Sequence, residues 1–375
     1  MKLVYLSESR IPSREANAVH VMKMCAAIAG LGHKVVLVAP EASDLEPDVA
    51  DPYAFYGVPP TFELRRLTRP AMRGFGWIYG WNAGRLAAGS DVDAVFGRSL
   101  YACAVTAKSG IPTAWDAHMA TFLGKWRERV VFDAMIKAPA FCGMTTNCQA
   151  LTDVILNQVP GLSGRIVTAH NGADPIPDEL TPIELGGSAG RLQVGYMGQL
   201  YPGKGLEIIR DLARLAPWAD FHIVGGNRDA LAVLAVEVDL PKNVVVHGFV
   251  PPREVERYAI ACDVLLAPYQ ATVRTAGGGE TAAWMSPLKL FTYMSAGKAI
   301  LCSDIPVLRE IIADGQNGIM LPPADAGAWA AALKRLADDP GERQRLGAAA
   351  LADFGHHHTW GQRAERALAL LPAAA

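Results

Sequence analysis

The sequence has no pattern that would build a disulfide framework or a structural zinc site. It contains neither a CxxC pair nor a histidine at zinc-finger spacing from a cysteine. Its six cysteines lie mostly inside apolar segments, at Cys25, Cys103, Cys142, Cys148, Cys262 and Cys302. This usage favours reduced, buried thiols of a cytosolic protein. The triplet His356–His358 follows a probable turn, so we expect no bound metal there or elsewhere.

The chain also lacks an excess of positive charge and any long apolar run. It has 35 Lys and Arg against 37 Asp and Glu, a net charge of −2. Binding to a nucleic-acid backbone needs a basic excess, so we expect no nucleic-acid partner. No apolar run approaches the roughly 20 residues that cross a bilayer, and no charged leader precedes the first apolar segment. We expect a cytoplasmic protein, held at most on the inner face of a membrane.

What the chain does have is apolar material for more than one core. It has 375 residues, of which 51% are hydrophobic. Short β-branched runs alternate with amphipathic stretches, which predicts parallel sheets with crossover helices. A first helix is predicted over Asn17–Leu31 with Asn17 as its N-cap. Strands are predicted at 3–7, 34–39, 94–97, 113–116, 142–145 and 166–169, and again at 193–197, 222–224, 244–247, 264–267, 299–302 and 318–321.

A linker is predicted between these two series of strands. Residues 174–190 contain three prolines and three glycines and show no periodicity. We therefore expect two doubly wound, Rossmann-like α/β domains, at residues 1–180 and 181–358. The loops at the carboxyl ends of their strands would face a cleft.

The stretch from Trp284 to Gly297 predicts a helix that begins at an anion site. Ser286 is a good N-cap, Pro287 suits the first helical position, and Lys289 then falls in the first turn. A cation is misplaced at a helix N-terminus unless an anion binds there. The alternative is a solvated lysine on an ordinary helix.

A second candidate phosphate loop runs from Gly198 to Gly205 and contains Lys204. It matches the GxxxxGK pattern of a P-loop, but Gly205 stands where a magnesium-binding Ser or Thr belongs. This difference argues against an ATPase. The alternative is a tight strand–helix turn with an exposed lysine.

Three further side chains in the first half are candidates for contact with a substrate. His118 ends a predicted strand, His20 lies in the first helix, and Arg98 directly follows the strand 94–97. A lone histidine is more often structural than functional, and Arg98 could equally cap neighbouring carbonyl groups.

The segment 64–81 combines four arginines with Phe75, Trp77, Tyr79 and Trp81. Arginines beside amphipathic rings suit the interface of an anionic membrane. The alternative is a helix that packs its rings on its own sheet. Peripheral membrane contact through 64–81 is therefore a hypothesis.

Taken together, these motifs resemble the retaining family-four (group 1) glycosyltransferases of GT-B architecture. The resemblance covers essentially the whole chain, and the shared order of the motifs is its most specific feature. The motifs lie at 11–20, 32–35, 171–174, 198–205, 225–226, 246–250, 261–268, 286–289 and 296–297, and at Trp360. The resemblance implies two domains and a final helix, 359–375, that crosses back to the first domain.

The resemblance also implies an activity and roles for individual residues. The donor would be a UDP- or GDP-linked sugar, and the acceptor a carbohydrate or a lipid-linked molecule of polysaccharide or cell-envelope synthesis. Catalysis would need no metal and no cofactor. His118 would contact the transferred sugar, while Lys204 and Lys289 would bind the donor diphosphate. The other implied donor-binding residues are Asn17, Gly198, Gln199, Phe249, Val250, Ser286, Pro287, Leu288 and Thr292; His20 and Arg98 are acceptor-side candidates.

Three positions depart from the commonest pattern of that family. Gln199 stands where arginine is frequent, and Trp284 and Thr292 stand where two glutamates are frequent. Glu280 is our hypothesis for a replacement contact to a sugar hydroxyl. Two alternatives stay open, namely a catalytically impaired sugar-nucleotide-binding protein and a sugar-nucleotide epimerase of the same architecture. An oxidoreductase is disfavoured, because no GxGxxG follows a first strand.

Overall fold

The computed structural model describes residues 1–41, 46, 48–68, 76–188, 190–226, 239–273 and 282–373. The chain forms two compact units, Met1–Asn171 together with Trp360–Ala375, and Gly172–Thr359. Each unit is built around one parallel β-sheet. Residues 174–190, the predicted linker, lie in the second unit.

The first unit contains a seven-stranded sheet in the order β3-β2-β1-β4-β5-β6-β7, with all neighbours parallel. Its strands are β1 (Lys2–Leu6), β2 (Lys34–Pro40), β3 (Glu63–Leu67), β4 (Ala94–Gly97), β5 (Thr113–Ala117), β6 (Phe141–Thr146) and β7 (Ile166–Thr168). Its helices are α1 (Ala16–Gly30), α2 (Pro52–Tyr56), α3 (Gly76–Ala88), α4 (Leu100–Lys108), α5 (Thr121–Gly124), α6 (Trp126–Ile136) and α7 (Gln149–Gln158), with a 3-10 turn at Pro160–Leu162.

The second unit contains a six-stranded parallel sheet in the order β10-β9-β8-β11-β12-β13. Its strands are β8 (Leu192–Met197), β9 (Ala219–Val224), β10 (Val244–Gly248), β11 (Val264–Ala267), β12 (Ala299–Ser303) and β13 (Ile319–Leu321). Its described helices are α8 (Leu206–Leu215), α9 (Val255–Ala261), α10 (Leu288–Ser295), α11 (Ala326–Asp338) and α12 (Pro340–His357), with 3-10 helices at Pro252–Glu254, Ala282–Trp284 and Pro306–Glu310. The last helix, α13 (Trp360–Leu368), belongs to the first unit.

The central strands of each sheet are buried on both faces, and this packing holds the sheets in place. The central strands β4, β5, β9, β11 and β12 are buried along their whole length, as expected when helices cover both faces. Helix α8 shows how a covering helix is held, because its buried side chains form one stripe that includes Ile208, Ile209 and Leu212. Each such side chain contributes roughly 1.5–3 kcal/mol on leaving water.

The two sheets share one feature that locates candidate sites. In each, the strand order reverses beside the first strand, between β1 and β4 and between β8 and β11. Loops at the carboxyl ends of two such strands diverge and leave a crevice, in which ligands of doubly wound folds bind. The loops that follow β8 and β11, and those that follow β4 and its neighbour β5, carry most of the catalytic residues predicted above.

The predicted fold class is confirmed, including the final helix that returns to the first unit. One strand was missed, because β3 (Glu63–Leu67) lies at the sheet edge and two of its five residues are arginines. The predicted cap of the first helix is wrong, since α1 begins at Ala16 and Glu15 occupies the cap position. His356 and His357 end helix α12 rather than forming a turn.

Candidate functional site

The loop after β8 lies so close to the loop after β11 that only glycine fits at two positions. A Cβ atom on Gly203 would lie 2.0 Å from the carbonyl oxygen of Thr272, and one on Gly205 would lie 1.7 Å from that of Pro268. Both glycines have positive φ angles, of 87° and 84°. The backbone N–H of Gln270 donates to the carbonyl of Gly203 at 2.9 Å. The glycines therefore hold the intervening Lys204 at the point where the strand order reverses.

Two lysine ammonium groups meet at one tyrosine ring in this place. The Nζ atom of Lys204 lies 4.9 Å from the centre of the Tyr269 ring, and that of Lys289 lies 5.0 Å from it. Lys289 Nζ also lies 3.6 Å from the centre of the Tyr196 ring. The Tyr196 hydroxyl donates to the carbonyl of Gln199 at 2.8 Å, which holds this ring against the loop.

This pair of cations has no anionic partner among the described residues. Lys289 Nζ is shielded from solvent and has no hydrogen-bond acceptor there. Burial, followed by the charge of Lys204, lowers the pKa of Lys289 well below its usual value. Burial lowers the pKa of Lys204 to about 8. Cation–π contacts stabilise a buried ammonium group by about 2 kcal/mol, whereas its removal from water costs several kcal/mol. An anion bound between the two lysines would therefore stabilise the arrangement.

The start of helix α10 lies beside these lysines. Pro287 occupies the N-cap position and no side chain caps the helix, so Ser286 is not the N-cap that the sequence predicted. Lys289 is the second helical residue, as expected for the first turn. A Cβ atom on Gly198 would lie 3.0 Å from Lys289 Nζ, so the glycine loop contacts the ammonium group directly. The uncapped N–H groups and the helix dipole add to the positive potential.

The remaining predicted donor-binding residues are less informative. The Thr292 hydroxyl donates to the carbonyl of Leu288 in its own helix at 3.4 Å. Asn17 lies in the first turn of α1, where its Oδ1 is shielded from solvent. Phe249 and Val250 directly follow β10. Glu280 and the glycines before it lie outside the described residues.

In the first unit, one buried carboxylate organises a polar cluster at the end of β5. The Oδ1 atom of Asp116 accepts from Arg363 Nη2 at 2.9 Å and from the Thr145 hydroxyl at 2.7 Å. Its Oδ2 atom accepts from His118 Nε2 at 3.0 Å and from His20 Nε2 at 3.2 Å. Burial acts to raise the pKa of Asp116, but Arg363, His118 and these hydrogen bonds outweigh it and hold the pKa well below the usual value.

The contact with Asp116 determines which nitrogen of His118 is available. The Nε2 atom lies 3.0 Å from Asp116 Oδ2 and farther, 3.5 Å, from Arg363 Nη2, so the carboxylate is its closer partner. A carboxylate can only accept, so Nε2 carries the proton and Nδ1 is left with a lone pair. Nδ1 has no partner among the described residues, and the side chain is 13% exposed. Burial and the charge of Arg98 lower the pKa of His118 to about 4, so the ring is neutral at pH 7. Nδ1 is therefore a hydrogen-bond acceptor that a ligand can reach.

The two acceptor-side candidates differ in availability. His20 is buried, and its ring nitrogens contact Asp116 and the Asn171 Oδ1, the latter at 2.8 Å. In this geometry His20 supports Asp116 and offers no ring nitrogen to a substrate. Arg98 follows β4, and its Nη1 atom is shielded from solvent without a hydrogen-bond partner in the described part of the chain. Arg98 is the candidate that retains an unused donor.

His20, Asp116 and His118 also form the one group of three candidate metal ligands found among the described residues. Their ligand atoms lie within 4.8 Å of one another. The Asp116 carboxylate, however, already accepts four hydrogen bonds, and the guanidinium of Arg363 would repel a cation. This chemistry fits an ion pair better than a metal site.

The sequence did not identify four residues that shape these two places: Asp116, Tyr196, Tyr269 and Arg363. Asp116 carried a usable signal, since it precedes His118 by two positions and so shares its face of the strand. Arg363 carried none, because 247 residues separate it from Asp116.

Comparisons with known proteins identify the family that the chain resembles. A family model described as "Glycosyltransferase Family 4" matches residues 18–176, and one described as "Glycosyl transferases group 1" matches residues 191–339. The D-inositol 3-phosphate glycosyltransferase of Stackebrandtia nassauensis is 26% identical over 263 residues, which are 63% of this chain and 55% of that protein. The chain spans about half the length of the curated relatives it matches.

Solved structures resemble the chain over nearly its whole length. The Anabaena protein Alr3699/HepE in complex with UDP and glucose has a TM-score of 0.70 at 16% identity, covering 98% of both chains. The sucrose-phosphate synthase of Thermosynechococcus elongatus has a TM-score of 0.73 at 16% identity, covering 98% of this chain and 97% of that one. At this identity the likeness establishes the fold.

Replacing Lys289 with Met should stabilise the protein without ligand at pH 7. The change removes a buried charge that has no partner among the described residues and keeps a side chain of similar shape. In the wild type, the unfolded state binds more protons than the folded state at pH values between the lowered pKa of Lys289 and about 10.4. The wild type therefore becomes more stable as the pH rises through this range, and the advantage of the variant shrinks. We expect an advantage of about 1 kcal/mol at pH 7 that diminishes towards pH 10. Thermal unfolding midpoints of both proteins across this range measure it.

The matched control is Lys334→Met, which removes an exposed lysine paired with Asp338 on helix α11. It should show no comparable gain. A Lys289→Met protein that is less stable than the wild type at pH 7 would contradict the unpaired-charge interpretation.

Proposed function

Since the chain belongs to the group 1 glycosyltransferases with the GT-B fold, we propose that it transfers a sugar from a nucleoside diphosphate sugar to an acceptor hydroxyl. The bond between the anomeric carbon and the diphosphate oxygen breaks, and a bond from that carbon to the acceptor oxygen forms. The acceptor proton is released, and the nucleoside diphosphate leaves with the electrons of the broken bond.

The observation that carries this proposal is the pair of lysines that share the Tyr269 ring and have no anionic partner among the described residues. A diphosphate that leaves gains negative charge in the transition state, and preorganised cations stabilise that charge more than they stabilise the substrate. Lys204, Lys289 and the start of α10 supply this positive potential. With this charge supplied by the protein, we propose that the reaction requires neither a metal nor a cofactor.

The proposed donor is a UDP- or GDP-linked sugar. The solved complex of Alr3699/HepE with UDP and glucose supports a uridine nucleotide. The backbone of Phe249 and Val250 after β10 would contact the base, and the glycine loop at Gly198 and Gln199 would approach the phosphates. The lone pair of His118 Nδ1 would accept a hydrogen bond from a hydroxyl of the transferred sugar.

The proposed acceptor is a carbohydrate or a lipid-linked molecule of polysaccharide or cell-envelope synthesis. Similar proteins support this class, since they include an amylovoran biosynthesis glycosyltransferase and a phosphatidyl-myo-inositol mannosyltransferase. Arg98 suits the acceptor side, because its Nη1 atom, which has no partner in the described part of the chain, could donate to a hydroxyl or an acidic group. We propose a cytoplasmic location, in keeping with six free cysteines.

The donor site is tested by thermal shift with UDP, GDP, ADP and NAD, followed by turnover of the matching nucleotide sugars in EDTA. We expect one nucleoside diphosphate to stabilise the wild type, and turnover to persist with the chelator. Lys289→Gln should lower turnover by roughly 10²-fold or more, the cost of removing one preorganised donor. Lys334→Gln, which alters an exposed lysine, should change nothing.

The outcomes separate the alternatives that the sequence left open. Turnover of Lys289→Gln within twofold of the wild type would refute the donor site. Binding of a nucleotide sugar without release of nucleoside diphosphate, with any acceptor, would indicate an impaired binding protein. Formation of an epimer without acceptor would indicate an epimerase.

We propose that transfer retains the anomeric configuration of the donor. The support is the resemblance of the motifs at 286–289 and 296–297 to the retaining family. A proton NMR time course of the first-formed product should show the anomeric coupling of the donor linkage. A product with the opposite configuration at early times would exclude retention.

We propose that the protein binds peripherally to an anionic membrane surface through helix α3. Trp77 and Trp81, one turn apart, are 41% and 48% exposed, and the Arg85 guanidinium lies 5.7 Å from the Trp81 ring centre. Tyr79 instead packs inward and donates to the carbonyl of Ser7. No helix in the described part of the chain is both long and apolar enough to cross a bilayer. Arg69, Arg73 and Phe75 lie outside the described residues.

Co-sedimentation with vesicles of anionic lipid at low salt tests this contact. The wild type should bind, and a double variant, Trp77→Ser with Trp81→Ser, should lose most binding because interfacial burial of the rings is removed. Trp126→Ser is the matched control, since Trp126 is 73% exposed on helix α6. Absence of wild-type binding, or equal loss in the control, would remove the proposal.

A further inference from the structure

The last helix of the chain contributes a buried guanidinium to the first unit. Helix α13 packs against α1. Arg363 on α13 is only 1% exposed, and its Nη2 atom reaches Asp116 while Nη1 lies 3.4 Å from the sulfur of Met24. Trp360, one turn earlier, is also buried, and its ring centre lies 5.2 Å from that of His20.

The two carboxylate oxygens of Asp116 contact different sets of side chains. Oδ1 is held by Arg363 and by the hydroxyl of Thr145, which lies on the neighbouring strand β6. Oδ2 is thereby left to the two histidine rings, which contact each other edge-to-face at 4.7 Å. The orientation of the carboxylate, and so the position of the acceptor that His118 meets, depends on the Oδ1 contacts.

We propose that Arg363 is a positioning residue for His118: by holding Asp116 ionised and oriented, it fixes the ring tautomer in which Nε2 carries the proton and Nδ1 accepts from the substrate. This inference rests on the proposed function in one respect, that His118 contacts the transferred sugar. Arg363 itself touches neither substrate nor reacting atom; its Nη2 atom lies 3.5 Å from His118 Nε2 and makes its shorter contact, of 2.9 Å, with Asp116. It acts through Asp116, as outer partners that orient a catalytic histidine do in other enzymes.

The charges around His118 explain what the loss of Arg363 would do. The groups that face this cluster are Asp116 on β5, Arg98 after β4, Arg363 on α13, His20 on α1 and Tyr5 on β1. Burial and Arg98 are the larger causes that lower the pKa of His118, and Arg363 adds to them. Without Arg363, the buried carboxylate of Asp116 stays ionised only if a neighbouring group, such as His118, becomes protonated and balances its charge. Protonation of His118 would convert Nδ1 from an acceptor into a donor.

The test is ¹⁵N–¹H NMR of the imidazole rings at pH 7, with His118→Gln used to assign the His118 signals. The wild type should show a neutral His118 protonated on Nε2. Arg363→Met should show an imidazolium or mixed tautomers, whereas Arg363→Lys, which keeps a cation beside Asp116, should retain the wild-type pattern. Arg366→Met, three residues later on the same helix, should have no effect.

The pH dependence of kcat/KM provides a second measurement, which would not change if Arg363 only stabilised the fold. In Arg363→Met the acidic limb of the kcat/KM profile should rise by at least one pH unit, and kcat should fall by roughly tenfold or more, as for loss of an orienting partner. Arg363→Lys should restore both. An unchanged tautomer together with an unchanged pH profile in Arg363→Met would overturn the proposal.

If Arg363→Met does not fold, Arg363→Gln supplies the same test, because it keeps a hydrogen-bond donor for Asp116 and removes the buried positive charge. We expect an imidazolium or mixed tautomers of His118 in it, and a pure neutral Nε2–H tautomer would refute the positioning role. The NMR readout needs no substrate. A failure of the positioning role is therefore distinguishable from a failure of the proposed function, which would show as normal tautomers in a protein that transfers no sugar.

Discussion

A charge that is removed from water must be compensated, and the two units of this chain meet this constraint in opposite ways. In the first unit the carboxylate of Asp116 is paired with Arg363 and accepts hydrogen bonds from three further side chains. In the second, the ammonium groups of Lys204 and Lys289 contact aromatic rings and no anionic side chain in the part of the chain that the structure describes. The compensated cluster holds the His118 ring by a hydrogen bond to Asp116. The lysine pair is costly for the protein without a ligand, and a bound anion would remove that cost, so affinity would be obtained at the expense of stability.

Both units use the same strand order at their centre, with the first strand between the second and the fourth. Each unit has cationic candidate site residues in the loops beside that reversal, but the loops themselves differ. A glycine loop with a lysine follows β8, whereas a short polar segment with an arginine follows β4. The shared topology explains where ligands can bind, and the loops determine which ligand chemistry is possible.

The sequence predicted features that depend on local pattern. Parallel strands were recognisable because their apolar residues are contiguous, and Lys204 and Lys289 stood out because each follows a glycine or proline signal at a helix start. Glu63–Leu67 was missed because an edge strand need not be apolar. The Asp116–Arg363 pair was missed because no local rule connects residues 247 positions apart. Tyr269 was overlooked since an aromatic residue after a buried strand usually signals core packing, and its contact with two cations exists only in three dimensions.

The membership of helix α13 in the first unit makes that unit discontinuous along the chain, with the whole of Gly172–Thr359 intervening. During synthesis, at about 5–20 residues per second, the second unit leaves the ribosome before the segment that completes the first. Throughout that interval the β-sheet around Asp116 lacks its buried guanidinium, and the carboxylate has no strong counter-charge. The His118 cluster therefore cannot be completed before the whole of Gly172–Thr359 has been synthesised, and polypeptides that end within that stretch would lack Arg363.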